Sequence, residues 1–283
     1  TLTATINSSS ATGTVNFRNN GTSIAGCSAV TVTSGIATCP VSSLAVGTYS
    51  NVITAVYSGG GNYAGSTSTA LSSLTVTKAS LSVTPTAASV VFGGTPTYLK
   101  TYSGFTNGDS ASSTSFTTGL TAPTCVAASY TTSSSVGISP LSITCSGGSS
   151  NNYTFTYTET ANLTITKATP SVSISLSAAT PTYGVVDTIT ATASLPGTVA
   201  FKISGNVITG CENVTTTESS PYTAKCSWIP GAATASYALT ATFSPTNSID
   251  YLTANSSTTT TPNSNRSAIT VTPTAGQSKV YGA

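Results

Sequence analysis

Residues 13–39 read GTVNFRNNGTSIAGCSAVTVTSGIATC, and their phrases return later in the chain as GTVAF at 197–201, GCENV at 210–214 and TAKC at 223–226. TAVY at 54–57 likewise returns as TATF at 240–243. Within the quoted stretch VNF and AVTVT place apolar residues at alternate positions, the period of a strand with one buried face. Asn19-Asn20-Gly21 and Ser34-Gly35 separate these runs with residues that tolerate positive φ, which predicts short turns between strands. Self-similarity at a spacing of about 185 residues (Gly13 to Gly197, Cys39 to Cys226) marks an array of modules, in which each unit packs its own core and stacks on its neighbours.

Working outward, TLTATI at 1–6 alternates Leu2, Ala4 and Ile6 against threonine and matches TITATA at 188–193. A further alternating run, Val172, Ile174 and Leu176, precedes that second copy and has no equivalent ahead of Thr1. The first module is therefore expected to begin one strand late. Between the copies lies a segment of different grammar: LSVTPTAASVVFG at 81–93, a turn at Asn107-Gly108, ISPLSITC ending at Cys145, and closing runs with Tyr153, Phe155 and Tyr157, then Leu163 and Ile165. The last residues, ITVTPTAGQSKVYGA at 269–283, echo the start of that segment. The expected division is 1–78, 79–168, 169–268 and a partial module at 269–283, with both ends inside modules, as in a window on a longer repetitive polypeptide. The junctions LTVTKASLSVT and LTITKATPSVSI run strand into strand with only a Lys-Ala step between, which predicts abutting modules rather than a flexible linker.

Composition supports an all-β chain. Serine and threonine exceed a third of the 283 residues, charged residues are 5%, and the formal charge is +2. No basic patch is present for a nucleic-acid backbone, and no apolar run approaches the ~20 residues of a membrane span, so neither nucleic acid nor membrane insertion is expected of this window. Any export signal or anchor is expected outside it. The six cysteines fall as Cys27/Cys39, Cys125/Cys145 and Cys211/Cys226, one close pair per module, in a chain with no histidine. Zinc needs four ligands, whereas each module offers two cysteines; disulfides formed outside the cytoplasm are the reading, each closing a short loop for about 3 kcal/mol. Cys27 and Cys39 flank the Ser34-Gly35 hairpin, so that bridge is expected to tie neighbouring strands or their ends rather than the two sheets of a sandwich.

Chemistry is sparse. The acids Asp109, Glu159, Asp187, Glu212, Glu218 and Asp250 are dispersed and are read as solvated turn residues, and no histidine is present to activate a serine or threonine. No enzyme activity and no cofactor are expected. Tyr102, Phe105 and Tyr130 are candidate ligand contacts if they cluster at the surface, and Trp228, beside Cys226, is a candidate sugar platform weighed against packing on the bridge. N-x-S/T triplets at Asn7, Asn20, Asn152, Asn162, Asn213, Asn255 and Asn265 are candidate glycosylation sites.

Residues 1–78 and 169–268 resemble bacterial immunoglobulin-like repeat domains through G-T-V-x-F, G-C-x-x-V with its later cysteine, and T-A-x-Y/F followed by Asn62-Tyr63 or Asp250-Tyr251. Residues 79–168 resemble the MBG-type repeat of giant bacterial adhesins through V-F-G at 91–93, G-F-T-N-G-D at 104–109 and N-Y-T-F-T-Y-T. The resemblance implies tandem immunoglobulin-like β-sandwich modules in an extended rod, extracellular and at the cell surface. The clustered carboxylates of a calcium clamp are missing from both Asn/Asp-Tyr steps. The expected role is a structural stalk, its partners the neighbouring modules of the same chain or fibre. Two other readings stand beside it: an adhesive module for glycan or a cell-surface protein, and a fibre subunit that polymerises by strand donation.

Overall fold

The structure, a computed structural model, describes residues 1–138 and 141–282. Ser139 and Pro140, within the ISPLSITC run, and Ala283, closing the final echo, lie outside the described residues. The chain is nearly all β, as its alternating pattern requires, with one four-residue helical turn among the described residues.

The first module holds nine strands: β1 (Leu2–Thr5), β2 (Thr14–Asn19), β3 (Thr22–Ser23), β4 (Val30–Thr31), β5 (Ile36–Cys39), β6 (Gly47–Tyr49), β7 (Ile53–Tyr57), β8 (Ser66–Thr67) and β9 (Leu74–Val76). β1 pairs antiparallel with β5, while β3, β2, β7 and β8 form the facing sheet in that order and β4 pairs with β2. The two-residue turns sit where the sequence places them. Asn20 and Gly21 have φ of 46° and 82° between the paired Asn19 and Thr22, and Ser34 and Gly35 have 51° and 75° between the bridged Thr33 and Ile36. Leu2, Val15, Phe17, Ile53 and Tyr57 build the core.

The middle segment holds β10 (Ala79–Pro85), β11 (Ala88–Val91), β12 (Lys100–Ser103), the helical turn α1 (Thr114–Thr117), β13 (Thr124–Val126), β14 (Leu141–Ser146), β15 (Tyr153–Thr156) and β16 (Ala161–Thr166). β10 is central, antiparallel to β12 and parallel to β15. Phe116 of α1 is fully buried against Leu81 and Tyr153. Four aromatic rings pack around it: Tyr102, Phe105, Tyr153 and Phe155 all lie within 6.5 Å of Phe116 by ring centroids.

The third module holds β17 (Val172–Leu176), β18 (Asp187–Ala193), β19 (Gly197–Ile203), β20 (Asn206–Val207), β21 (Val214–Thr215), β22 (Tyr222–Trp228), β23 (Ala238–Pro245), β24 (Ala254–Asn255) and β25 (Thr259–Thr260). One sheet runs β17-β18-β22, the other β20-β19-β23-β24. Val199, Phe201, Leu239, Ala241 and Phe243 are wholly buried between them. The repeat is a repeat of hydrogen bonds as well as letters. Phe17 N donates to Cys27 O and Ala55 N to Ser68 Oγ; Phe201 N donates to Cys211 O and Ala241 N to Ser256 Oγ.

The glycine that opens G-T-V-x-F has a steric cause. A Cβ on Gly13, whose φ is +100°, would lie 2.3 Å from Gly59 O, and one on Gly197 would lie 2.3 Å from Ser244 O and 2.6 Å from the Phe243 ring. Gly197→Ala is therefore expected to destabilise the third module by about 1–3 kcal/mol through forced backbone separation, measured by urea unfolding.

Two compact units divide the chain: Thr1–Ala88, Thr97–Ser129 and Leu141–Leu163 in one, and Ser89–Pro96, Tyr130–Pro140 and Thr164–Ala283 in the other. The division falls inside residues 79–168. β16 is shared: Leu163 pairs with Leu141 in the first unit, and Thr166 takes Phe92 N in the second. Residues 269–282 form no ladder among the described residues, and Ile269 and Val271 are more than four-fifths exposed. The run they echo, β10, is a strand through its pairing with β12 and β15.

Candidate functional site: bridges and junctions

The three cysteine pairs form disulfides, with Cα separations of 5.8, 4.0 and 5.7 Å in chain order. Cys125 and Cys145 face each other across neighbouring strands β13 and β14. The Cys27–Cys39 bridge corrects the expectation that it leaves the sheets untied. Cys27 follows β3 and its carbonyl is held by β2, whereas Cys39 ends β5 on the facing sheet. The Ser34-Gly35 turn carries the chain from one sheet to the other, so the flanking cysteines straddle the core. Cys211 and Cys226 repeat this between the β19 sheet and β22. All four are buried.

The junctions share one device. Lys78 Nζ donates to Ser150 O at 2.6 Å, and Ala79 N to Asn152 O at 3.0 Å. Lys167 Nζ donates to Ser248 O at 2.6 Å, and Ala168 N to Asp250 O at 2.9 Å. In both, the lysine takes the carbonyl three residues before a tyrosine (Tyr153, Tyr251) and the alanine the carbonyl just before it, and the alanine and tyrosine pair in parallel. A charged donor on a carbonyl is a strong hydrogen bond, and it leaves the step no slack.

Asp250 and Asp187 depart from the reading as solvated turn residues; each is only 4% exposed. Asp250 Oδ1 accepts from Val136 N at 2.7 Å, and Oδ2 from Ser135 Oγ and from Asn247 Nδ2. Phe92 packs edge-on against Tyr251, with centroids 5.3 Å apart. Sequence spacing hides this cluster, because Ser135 and Asp250 are distant in the chain. Burial pushes the Asp250 carboxyl up, but the hydrogen bonds from Asn247, Val136 and Ser135 and the Lys167 charge outweigh it, leaving it below the usual 3.8. A depressed folded pKa contributes stability that is complete above the unfolded value and is lost as pH falls through the folded one. The Val136 amide is thus expected to lose protection below about pH 3.8, and Asp250→Asn to weaken it at every pH while flattening that acid step, both read by hydrogen exchange. Asp187 Oδ1 accepts from Ser177 Oγ, Ala178 N and Thr188 N, pinning the start of β18. Asp109 accepts from Ser115 Oγ and Tyr153 Oη, which lower its pKa in that order.

Tyr102 and Phe105 are half-buried in the cluster around Phe116. Tyr130 is not among them; its hydroxyl donates to Gly94 O. Trp228 is buried on the third core, 5.0 Å from the Tyr237 ring, in the same cluster as Cys211 and Cys226. Asn7, Asn20, Asn162, Asn213, Asn255 and Asn265 are exposed, whereas the Asn152 amide is half-buried and donates to Ser115 O. No group of three or more His, Cys, Asp or Glu side chains placed to hold a metal occurs among the described residues, and no helix there is long and apolar enough to cross a membrane.

Residues 1–77 match the family model of the bacterial Ig-like domain (group 3), and residues 81–164 that of the MBG domain (YGX type). Neither match reaches half of the chain; the two matched segments are similar to a bacterial Ig-like domain followed by an MBG domain, structural module types common in extracellular surface proteins. The third module shares the first one's ladder, bridge and glycine. No curated protein and no solved structure matches the chain.

Proposed function

We propose that this chain is a length of extracellular spacer in a bacterial surface fibre or adhesin shaft, its work mechanical rather than catalytic. The observation that carries the reading is the repeated Lys-Ala step, which fastens each following module by its tyrosine loop without a slack linker. Inter-sheet disulfides in the outer modules fit the same role, because a pulled sandwich cannot peel into two separate sheets. Disulfides also fit a compartment outside the cytoplasm. No catalytic role is proposed: Asp109, Asp187 and Asp250 each accept hydrogen bonds from serine, tyrosine or backbone groups of the fold. The buried place of Trp228 and the half-buried places of Tyr102 and Phe105 support packing over glycan contact. The full chain, passed over immobilised glycans and cell-surface proteins, is expected to show no saturable binding; saturable binding abolished by a surface substitution would overturn the spacer reading in favour of an adhesive one.

A further inference from the structure

The three disulfides differ in what must move before a thiol can reach them. Thiol–disulfide exchange needs a thiolate in line with a sulfur, and all six cysteines are buried, so each bridge reacts from an opened form. Cys27–Cys39 and Cys211–Cys226 cross between facing sheets and belong to the first and third cores, which also hold Phe17 and Ile53 in one and Phe201 and Trp228 in the other. Exposing either pair of sulfurs requires the two sheets to part, which is the unfolding of the module. Cys125–Cys145 is placed otherwise. β13 is the outermost strand of the order β11-β16-β14-β13, is three residues long, and pairs with no strand but β14 among the described residues.

The surroundings of β13 favour local opening. Thr124 and Val126 on either side of Cys125, and Thr144 and Ser146 on either side of Cys145, are exposed. Beyond the ladder, Thr121 and Ser149 exchange two backbone hydrogen bonds of 2.9 Å, and β14 runs straight into Gly147 and Gly148, both at positive φ. Lifting β13 breaks its three-residue ladder and withdraws Cys125 and Ala127 from buried positions, while Leu141 and Ile143 of β14 keep their pairing with β16. Free energies of local opening run from near zero at frayed edges to the full unfolding value in a core, so the middle bridge has a low-energy route to solvent that the outer two lack.

We propose that Cys125–Cys145 is a thiol-exchange site, opened in the folded chain by an external dithiol while the outer bridges stay closed. One thiolate of the dithiol attacks the sulfur of Cys125 or Cys145; the S–S bond breaks, and its electron pair leaves on the other cysteine, which takes up a proton. The second thiol of the dithiol then attacks the mixed disulfide. The products are two cysteine thiols and the oxidised, disulfide form of the dithiol, two electrons and two protons having passed to the bridge. Reduction frees the 20-residue closure of the middle segment for extension, so the reach of the chain under load becomes adjustable at one point. That use rests on the spacer reading, whereas the selectivity rests on strand order, so either can fail without the other.

The test treats the oxidised full chain with dithiothreitol in mildly alkaline native buffer, blocks new thiols with iodoacetamide at intervals, and maps them by mass spectrometry. Cys125 and Cys145 are expected to be alkylated at least about a hundredfold faster than the other four cysteines, as for a local opening set against a global one. In denaturing urea the three bridges are expected to open within about threefold of one another, because the fold no longer governs access to the sulfurs. Hydrogen exchange of the chain alkylated at Cys125 and Cys145 is expected to match that of the oxidised chain across β2, β7, β19 and β23. Outer bridges that open as fast as the middle one in native buffer would overturn the proposal, as would a middle bridge that stays closed or opens only together with them. A preference for Cys125–Cys145 that persists undiminished in urea would also overturn it, since strand order would then not be its cause.

Discussion

Phe201→Ala is expected to cost the third module about 3–5 kcal/mol, and Phe243→Ala a similar amount. Both rings are completely buried, on paired strands β19 and β23, and they sit where the two sheets face each other. Truncation loses the transfer free energy of the ring and leaves a cavity that the surrounding core closes only in part. For a module of this size the midpoint is expected to fall by roughly 15 °C or more. The first module packs a separate core, so its own transition is expected to hold its place. Val186→Ser, at a side chain 60% exposed, is expected to change stability by less than about 0.5 kcal/mol. Calorimetry of the three variants checks all of this.

Removing the inter-sheet bridge by Cys211→Ala with Cys226→Ala is expected to cost about 2–5 kcal/mol. Loop length alone hardly separates the three bridges, because closures over 12, 20 and 15 residues differ by only a few tenths of a kcal/mol on a logarithmic scale. Position separates them. Cys125 and Cys145 join strands that backbone pairing already holds, whereas Cys211 and Cys226 join strands of different sheets. Hydrogen exchange is therefore expected to rise across β18, β19 and β22 together when the third bridge is removed, but only around β13 and β14 when the second is.

Much of this fold is legible in the sequence because period-two alternation and two-residue turns are local signals. Val15 and Phe17 go inward as their spacing requires, and Asn20-Gly21 turns as its chemistry requires. What local pattern does not carry is which sheet a strand joins. Cys27 and Cys39 read as flanking a hairpin, yet the Ser34-Gly35 turn between them is a crossover, a fact fixed by the pairing of β5 with β1 rather than with β4. The parallel pairing of β10 with β15 is hidden for the same reason, being made between segments some seventy residues apart. The junction site is partly legible. The repeated Lys-Ala step marks it, but Ser150 and Ser248 as acceptors, and the buried Asp250, emerge only when distant loops meet. Aromatic alternation at Tyr153 and Phe155 signals a core and not its plug: Phe116 sits in a Ser/Thr-rich run that carries no periodic signal.

The spacer role is tested most directly by pulling the single chain from its two ends with its bridges intact and again after reduction. The disulfides shield 12, 20 and 15 residues from tension, so at ~3.4 Å per extended residue reduction is expected to add roughly 40, 70 and 50 Å to the successive unfolding events. Distinct rupture events that lengthen by these amounts are the predicted result. Modules that yield without a rupture event, or contour lengths unchanged by reduction, would contradict it.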